Sequence, residues 1–177
     1  MTNCALLILD AQVNMFSGDL HVYQADECLA NLIYLAELAR VQRVPVIFVM
    51  NEGGPGDPDE PGTPGWMLHP ELGPRSGDIV LAIHTPDALM GTQLYEVLEE
   101  SEINQLVIAG MQTELCVTAT CRRAYDIGYV VTLVEDSHTT FDFPGEIPAH
   151  EKIKRCNLDF QDIIAVLPHT KISYQMM

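Results

Sequence analysis

Short, uninterrupted apolar runs alternate along the chain with longer stretches in which apolar residues recur every three or four positions. Runs of this length read as strands buried on both faces of a parallel sheet. They are Ala5 to Leu9, closed by Asp10; Val44 to Met50, with Pro45 tolerable at its beginning; Asp78 to Ile83; Leu106 to Ala109; Tyr129 to Glu135; and Asp162 to Leu167. Between them, Asp26 to Gln42 places Leu29, Leu32, Ile33, Leu35, Ala36, Leu38 and Ala39 at helical spacing, with Asp26 as N-cap. Further helices are expected from a Thr92 cap to about Ser101, from Cys116 to about Ile127 with Gly128 as C-cap, and from Pro148 to about Leu158. Such alternation calls for βαβ units: an α/β, Rossmann-like three-layer αβα sandwich on a mostly parallel, about six-stranded sheet.

One stretch breaks the pattern. Asn51 to Gly77 holds 7 of the 12 glycines and 6 of the 11 prolines. A loop this long inside a compact domain is either functional or disordered. Gly53-Gly-Pro-Gly56 is not a phosphate loop, because no helix with a GKS/T start follows it. Two readings are open for Trp66, the only tryptophan: it pins the loop to the domain, or it walls a pocket.

Composition narrows the function. A chain of 177 residues with 47% hydrophobic content suits a single domain, 1–177. Its formal net charge of −16 argues against nucleic-acid and anionic-membrane partners, which need clustered Lys and Arg. No apolar run approaches the ~20 residues that span a bilayer. The first ten residues lack a basic segment and reach Asp10 too soon for a signal peptide. Five cysteines in no framework suit a reducing, cytoplasmic setting. The six histidines are dispersed, so no metal site and no cofactor are expected.

The candidate chemistry lies in Leu106-Val-Ile-Ala-Gly-Met-Gln-Thr-Glu-Leu-Cys116, where a strand, a tight turn at Gly110 and a helix start present a thiol. A helix N-terminus favours a thiolate and a developing oxyanion. The alternative is a cysteine packed as a small hydrophobe. Asp10, at the carboxyl end of the first strand where ligands of open α/β sheets bind, is a catalytic acid or a turn acid.

Gly110-Met-Gln-Thr-Glu-Leu-Cys-Val-Thr-Ala-Thr-Cys-Arg-Arg-Ala-Tyr-Asp-Ile-Gly-Tyr129 closely resembles the nucleophile segment of the isochorismatase-like cysteine hydrolases, the superfamily that also holds nicotinamidases and N-carbamoylsarcosine amidases. Four further stretches match in order: Leu7 to Gln12, Gly62 to Leu72, Thr85 to Leu94, and Val134 to Asp142. The resemblance implies the same fold and a nucleophilic Cys116 with Asp10 as proton shuttle. It implies an oxyanion hole from the backbone N–H groups of Gln112 and Cys116, across a cis Met111–Gln112 bond. Gln12, Trp66, Leu89, Glu114 and His138 fall in matched segments and are candidates for substrate binding. For Glu114 a solvated turn acid is the other reading, and for His138 a loop-holding hydrogen-bond role. The resemblance also implies a small-molecule substrate and a homodimer or higher oligomer. The Asp/His metal site that some nicotinamidases carry has no counterpart at Met50-Asn-Glu-Gly-Gly54.

The family's third catalytic residue, a lysine, aligns with Ile83, and the first lysine in the chain is Lys152. His84 is next to it, but successive strand side chains point to opposite faces. A missing cation should leave Cys116 more protonated, because an opposite charge nearby is worth ~1–3 pKa units, so either Asp10 holds a proton or Cys116 remains a thiol more than in a complete triad. Two function classes follow. One is a hydrolase of an amide or imide C–N bond, favoured over cleavage of isochorismate's vinyl ether. The other is a catalytically silent relative that binds a small molecule or serves in assembly. Redox sensing through Cys116 would need a resolving thiol that the spacing does not demand.

Overall fold

The computed structural model describes residues 3–18 and 20–174. Strands β1 (Cys4–Leu9), β2 (Val46–Asn51), β3 (Ile79–Ile83), β4 (Gln105–Met111), β5 (Val130–Thr139) and β6 (Ala165–Leu167) form one sheet in the order β3-β2-β1-β4-β5-β6. Every neighbouring pair is parallel. The order runs outward in both directions from β1 and β4, so the crevice at their carboxyl ends is the switch point where ligands of such sheets bind.

Continuous apolar runs are needed because each strand feeds two cores. Leu6, Ile8, Val46, Phe48, Val107 and Ala109 face one layer, made by α2 (Ala25–Val41) together with Ile172 and Tyr174. Their neighbours Leu7, Leu9, Ile47, Val49, Leu106 and Ile108 face the other. That layer holds α3 (Gln93–Glu100), α4 (Thr118–Asp126) and α5 (Ala149–Phe160), through Leu94, Leu98, Cys121, Ala124 and Phe160. A short helix, α1 (Val13–Phe16), follows β1.

Several boundaries differ from those read off the sequence. α2 is preceded by Gln24 in the left-handed region and not capped by Asp26, which lies in the first turn beside the positive helix end. β5 continues to Thr139, and its pairing with β4 changes register between Ile108 and Gly110. This carries Ser137 to Thr139, buried polar residues that no apolar run would show, into the sheet. The segment before β6 is not strand, because the Ile163 and Ile164 N–H groups donate to Phe160 O at the end of α5.

The Gly/Pro-rich stretch is tied down. Gln12 is fully buried, its amide donating to Asn51 O at 3.0 Å and Trp66 O at 2.8 Å while its oxygen accepts from Asn51 N at 2.8 Å. Val13 N and Asn14 N donate to Met67 O and Gly65 O. Arg40 closes the far end on Leu72 O, Gly73 O and Asp78.

Candidate active site

The carboxyl ends of β1, β2 and β4 deliver the site. After β1 the chain turns at Asp10, which takes φ 49°, a left-handed conformation that Asp tolerates better than most residues, with its N–H bonded to Val49 O at 2.7 Å. After β4 comes Gly110 at φ 120°, where a β-carbon would collide with the Leu9 backbone; only glycine lets the two strand ends lie this close. The Met111–Gln112 bond is cis. A π-turn, Thr113–Val117, then precedes α4, with Val117 N donating to Gln112 O at 3.2 Å. Cys116 therefore lies in this turn, before the regular helix that was expected to start with it.

Asp10 and Cys116 sit together on the wall of a cavity of about 640 Å³, with Asn14, Asn51, Asp59, Gln112, Leu115 and Phe141 among its other lining residues. Asp10 is 2% exposed and its Oδ1 has no hydrogen-bond partner. Burial pushes its pKa up to about 7, with the Cys116 thiol pulling against the rise and the Asp59 carboxylate adding to it. Burial likewise pushes the Cys116 thiol far above its ordinary range, and the facing Asp10 carboxylate pushes further. The backbone N–H groups of Gln112 and Cys116 approach the sulfur and favour its anion. The larger effects, burial and the Asp10 carboxylate, favour the thiol form.

Ile83, the residue at the lysine position, ends β3 opposite Asn51. It is 4% exposed and belongs to the apolar cluster that includes Leu9, Ile47 and Cys116. It does not line the cavity. His84 points outward, its ring paired with Glu52 at 3.0 Å on an exposed surface.

Five residues expected at the substrate are absent from the cavity wall. Gln12 spends its whole amide on the loop, as described above. Trp66 is half-buried, its backbone N donating to the Thr63 hydroxyl within the loop and its O accepting from the Gln12 amide. Leu89 is core. Glu114 points from the Thr113–Val117 turn to Lys152 on α5, 2.9 Å away. That contact holds its carboxyl low against the opposing effect of burial.

His138 is buried beneath the same turn. Asn157 Nδ2 donates to Glu135 O at 3.0 Å, so Asn157 Oδ1 accepts from His138 Nε2 at 2.9 Å, which leaves His138 Nδ1 to accept from the Thr113 hydroxyl at 2.9 Å. Burial lowers the pKa of this imidazole, with the Asn157 hydrogen bond opposing the fall.

Sequence reading missed Asn14, Asn51 and Asp59. Asn51 ends β2, and that position alone was a signal. Asp59 lay hidden among glycines and prolines, although Asn51 Nδ2 donates to its Oδ2 at 2.6 Å. No group of three or more His, Cys, Asp or Glu side chains among the described residues is placed to hold a metal ion. No helix among them is long and apolar enough to cross a membrane.

Residues 4–164 match the model of the isochorismatase domain. A crystal structure of an isochorismatase from Pseudomonas putida KT2440 superposes with a TM-score of 0.89 at 33% identity, covering 97% of this chain and 91% of that one. A streptothricin hydrolase of Streptomyces noursei is 32% identical over 171 residues, 93% of this chain and 68% of the relative. A second one from the same organism is matched over 62% of its length, so the chain spans about two thirds of these hydrolases. A ureidoacrylate amidohydrolase of Yersinia enterocolitica is 33% identical over 72 residues, 41% of this chain and 31% of the relative. With a domain match across most of its length and a superposing fold, the chain belongs to the isochorismatase family.

Proposed function

We propose that this chain is a cysteine hydrolase that cleaves an amide or imide C–N bond of a small molecule, with Cys116 as nucleophile, Asp10 as proton shuttle and the Gln112 and Cys116 N–H groups as oxyanion hole. One observation carries it: a buried thiol and a buried carboxyl of raised pKa face each other in a substrate-sized cavity. The relatives named for hydrolysis, one of them an amidohydrolase, support an amide or imide target.

As Sγ bonds the acyl carbon, its proton passes to the Asp10 carboxylate and the carbonyl oxygen becomes an oxyanion on the two N–H groups. Collapse breaks the C–N bond, the leaving nitrogen takes the proton from Asp10, and a thioester remains. Water then yields a proton to Asp10 as its oxygen bonds the acyl carbon, and expulsion of the sulfur restores the thiol with that proton. The competent state is ionised Asp10 beside protonated Cys116, so no lysine is needed to create a resting thiolate. The same reading carries a homo-oligomer in a reducing compartment, where five free buried thiols persist; light scattering on the purified chain tests the assembly.

Rapid quench with a panel of small amides and imides, followed by intact mass, tests the chemistry. An acyl adduct on Cys116 that hydroxylamine removes is expected, and it should vanish in Cys116→Ala. The second reading, a silent binding protein, rests on the apolar Ile83. It prevails if ligands raise the melting temperature while no adduct and no turnover appear.

A further inference from the structure

The cavity at Cys116 carries carboxyl groups that the chain leaves without a counter-ion. Asp10 and Asp59 both line it, and no Lys, Arg or His does among the described residues. Burying a carboxylate without a cation costs free energy, so a site that keeps two of them has a use for them. Asp59 is a built feature. It is 8% exposed, it accepts from Asn51 Nδ2 at 2.6 Å, and a β-carbon at Gly53 would collide with its Oδ1. Asp10 Oδ1 is buried and without a partner, and so is Asn14 Oδ1 on the same cavity. The wall thus offers acceptors and negative charge, and lacks the cationic side chain with which an anionic ligand would pair.

We propose, resting on the reading of this cavity as the substrate site, that the substrate carries a protonated amine or guanidinium that pairs with Asp59 and donates to Asn14 while its acyl carbon lies at Cys116. The ligand then supplies the positive charge that the chain lacks at Ile83. A cation beside the Asp10–Cys116 pair favours ionised Asp10, the form that takes the thiol proton. Neutral analogues of the same shape lose both the pairing and this activation.

The test uses the Cys116→Ala chain, which binds without turning over, titrated calorimetrically at low salt with Nα-acetyl-argininamide and with Nα-acetyl-citrullinamide, its uncharged isostere. The acetylated argininamide should bind at least about tenfold more tightly, as expected for a charge-assisted hydrogen bond. The margin should shrink in high salt and close in Asp59→Asn. Because that variant also loses the Asn51 contact, Asn14→Asp serves as a second one: it adds a carboxylate to the same wall and should widen the margin. Equal affinity for the two amides, binding of neither, or a preference for the anion succinamate overturns the proposal. The two readings fail separately. A Cys116 thioester formed from neutral amides leaves the hydrolase standing without a cation preference, and a cation preference without any thioester removes the hydrolase alone.

Discussion

As the proposed proton acceptor, Asp10 works only if it can lose its proton, and its burial resists that. With a pKa of about 7 in the folded chain, only about half of the molecules hold the ionised, proton-accepting form at neutrality. The rate constant kcat/KM is therefore expected to rise through about pH 7 to a plateau, with no fall from thiol ionisation, since Cys116 titrates far higher. Asp59→Asn should move that midpoint down, because Asp59 adds to the rise. A profile flat from pH 5 to 9 would remove Asp10 as the base. The same burial has a cost in stability. Between the ordinary carboxyl value of 3.8 and about 7 the folded chain holds a proton that the unfolded chain has lost, so stability falls across that window and the loss is complete above it. Asp10→Asn, which keeps the left-handed turn accessible, should abolish turnover yet stabilise the chain at pH 8 by on the order of 3 kcal/mol, and hardly at pH 4. Urea melts at the two pH values check this. Ile83→Lys makes the complementary change. A lysine reaching the pair should lower the pH at which iodoacetamide alkylates Cys116 by about one to three pH units, at some cost from burying its charge; unchanged alkylation would mean that position 83 has no electrostatic hold on the thiol.

The element that sets the geometry is the junction of β4 with the Thr113–Val117 turn, and Gly110 is its weak point. Any side chain there meets the Leu9 backbone at a positive φ, so Gly110→Ala should cost about 2 kcal/mol or more and separate Asp10 from Cys116. A melting temperature close to wild type with full activity would show that β1 and β4 can part without consequence. The strands and the meeting of Asp10 with Cys116 at one cavity were legible because each needs a signal that survives in one dimension: an apolar run, a glycine, an acid or a thiol at the run's end. The walls were less so. Matched segments marked Gln12, Leu89 and His138, but a segment match does not say which way a side chain points, and these three turned inward to hold the loop, the core and the turn. Asn14 and Asp59 reach the cavity only because the Gly/Pro-rich loop folds back along the segment after β1, through the antiparallel bridge of Gln12 with Leu68. Nothing local encodes that return.

At the scale of the whole molecule the dominant fact is charge. The 9 basic side chains face 25 acidic ones, and many of the basic ones are already engaged: Arg40 with Glu37 and Asp78, Arg123 with Asp87, Lys152 with Glu114 and Glu146. The remaining carboxylates repel one another across a small surface, and compaction brings them closer than they are in the unfolded chain. Salt shortens the reach of that repulsion from about 30 Å at 0.01 M to about 8 Å at 0.15 M. The melting temperature at pH 8 is therefore expected to rise by about 3–6 °C over that range, equivalent to 1–2 kcal/mol for a chain of this length. The rise should be the same with sodium, potassium and choline chlorides, because screening does not distinguish cations. A rise with one cation only would point to a bound ion, and a melting temperature that falls with salt would mean that the ion pairs outweigh the repulsion. At pH 5, where part of the carboxylates have taken up protons and Asp10 is neutral, the salt effect should shrink and the chain should already be more stable. The same negative field draws cations toward the molecule, so association of a positively charged amide should slow as salt rises while that of its neutral isostere does not.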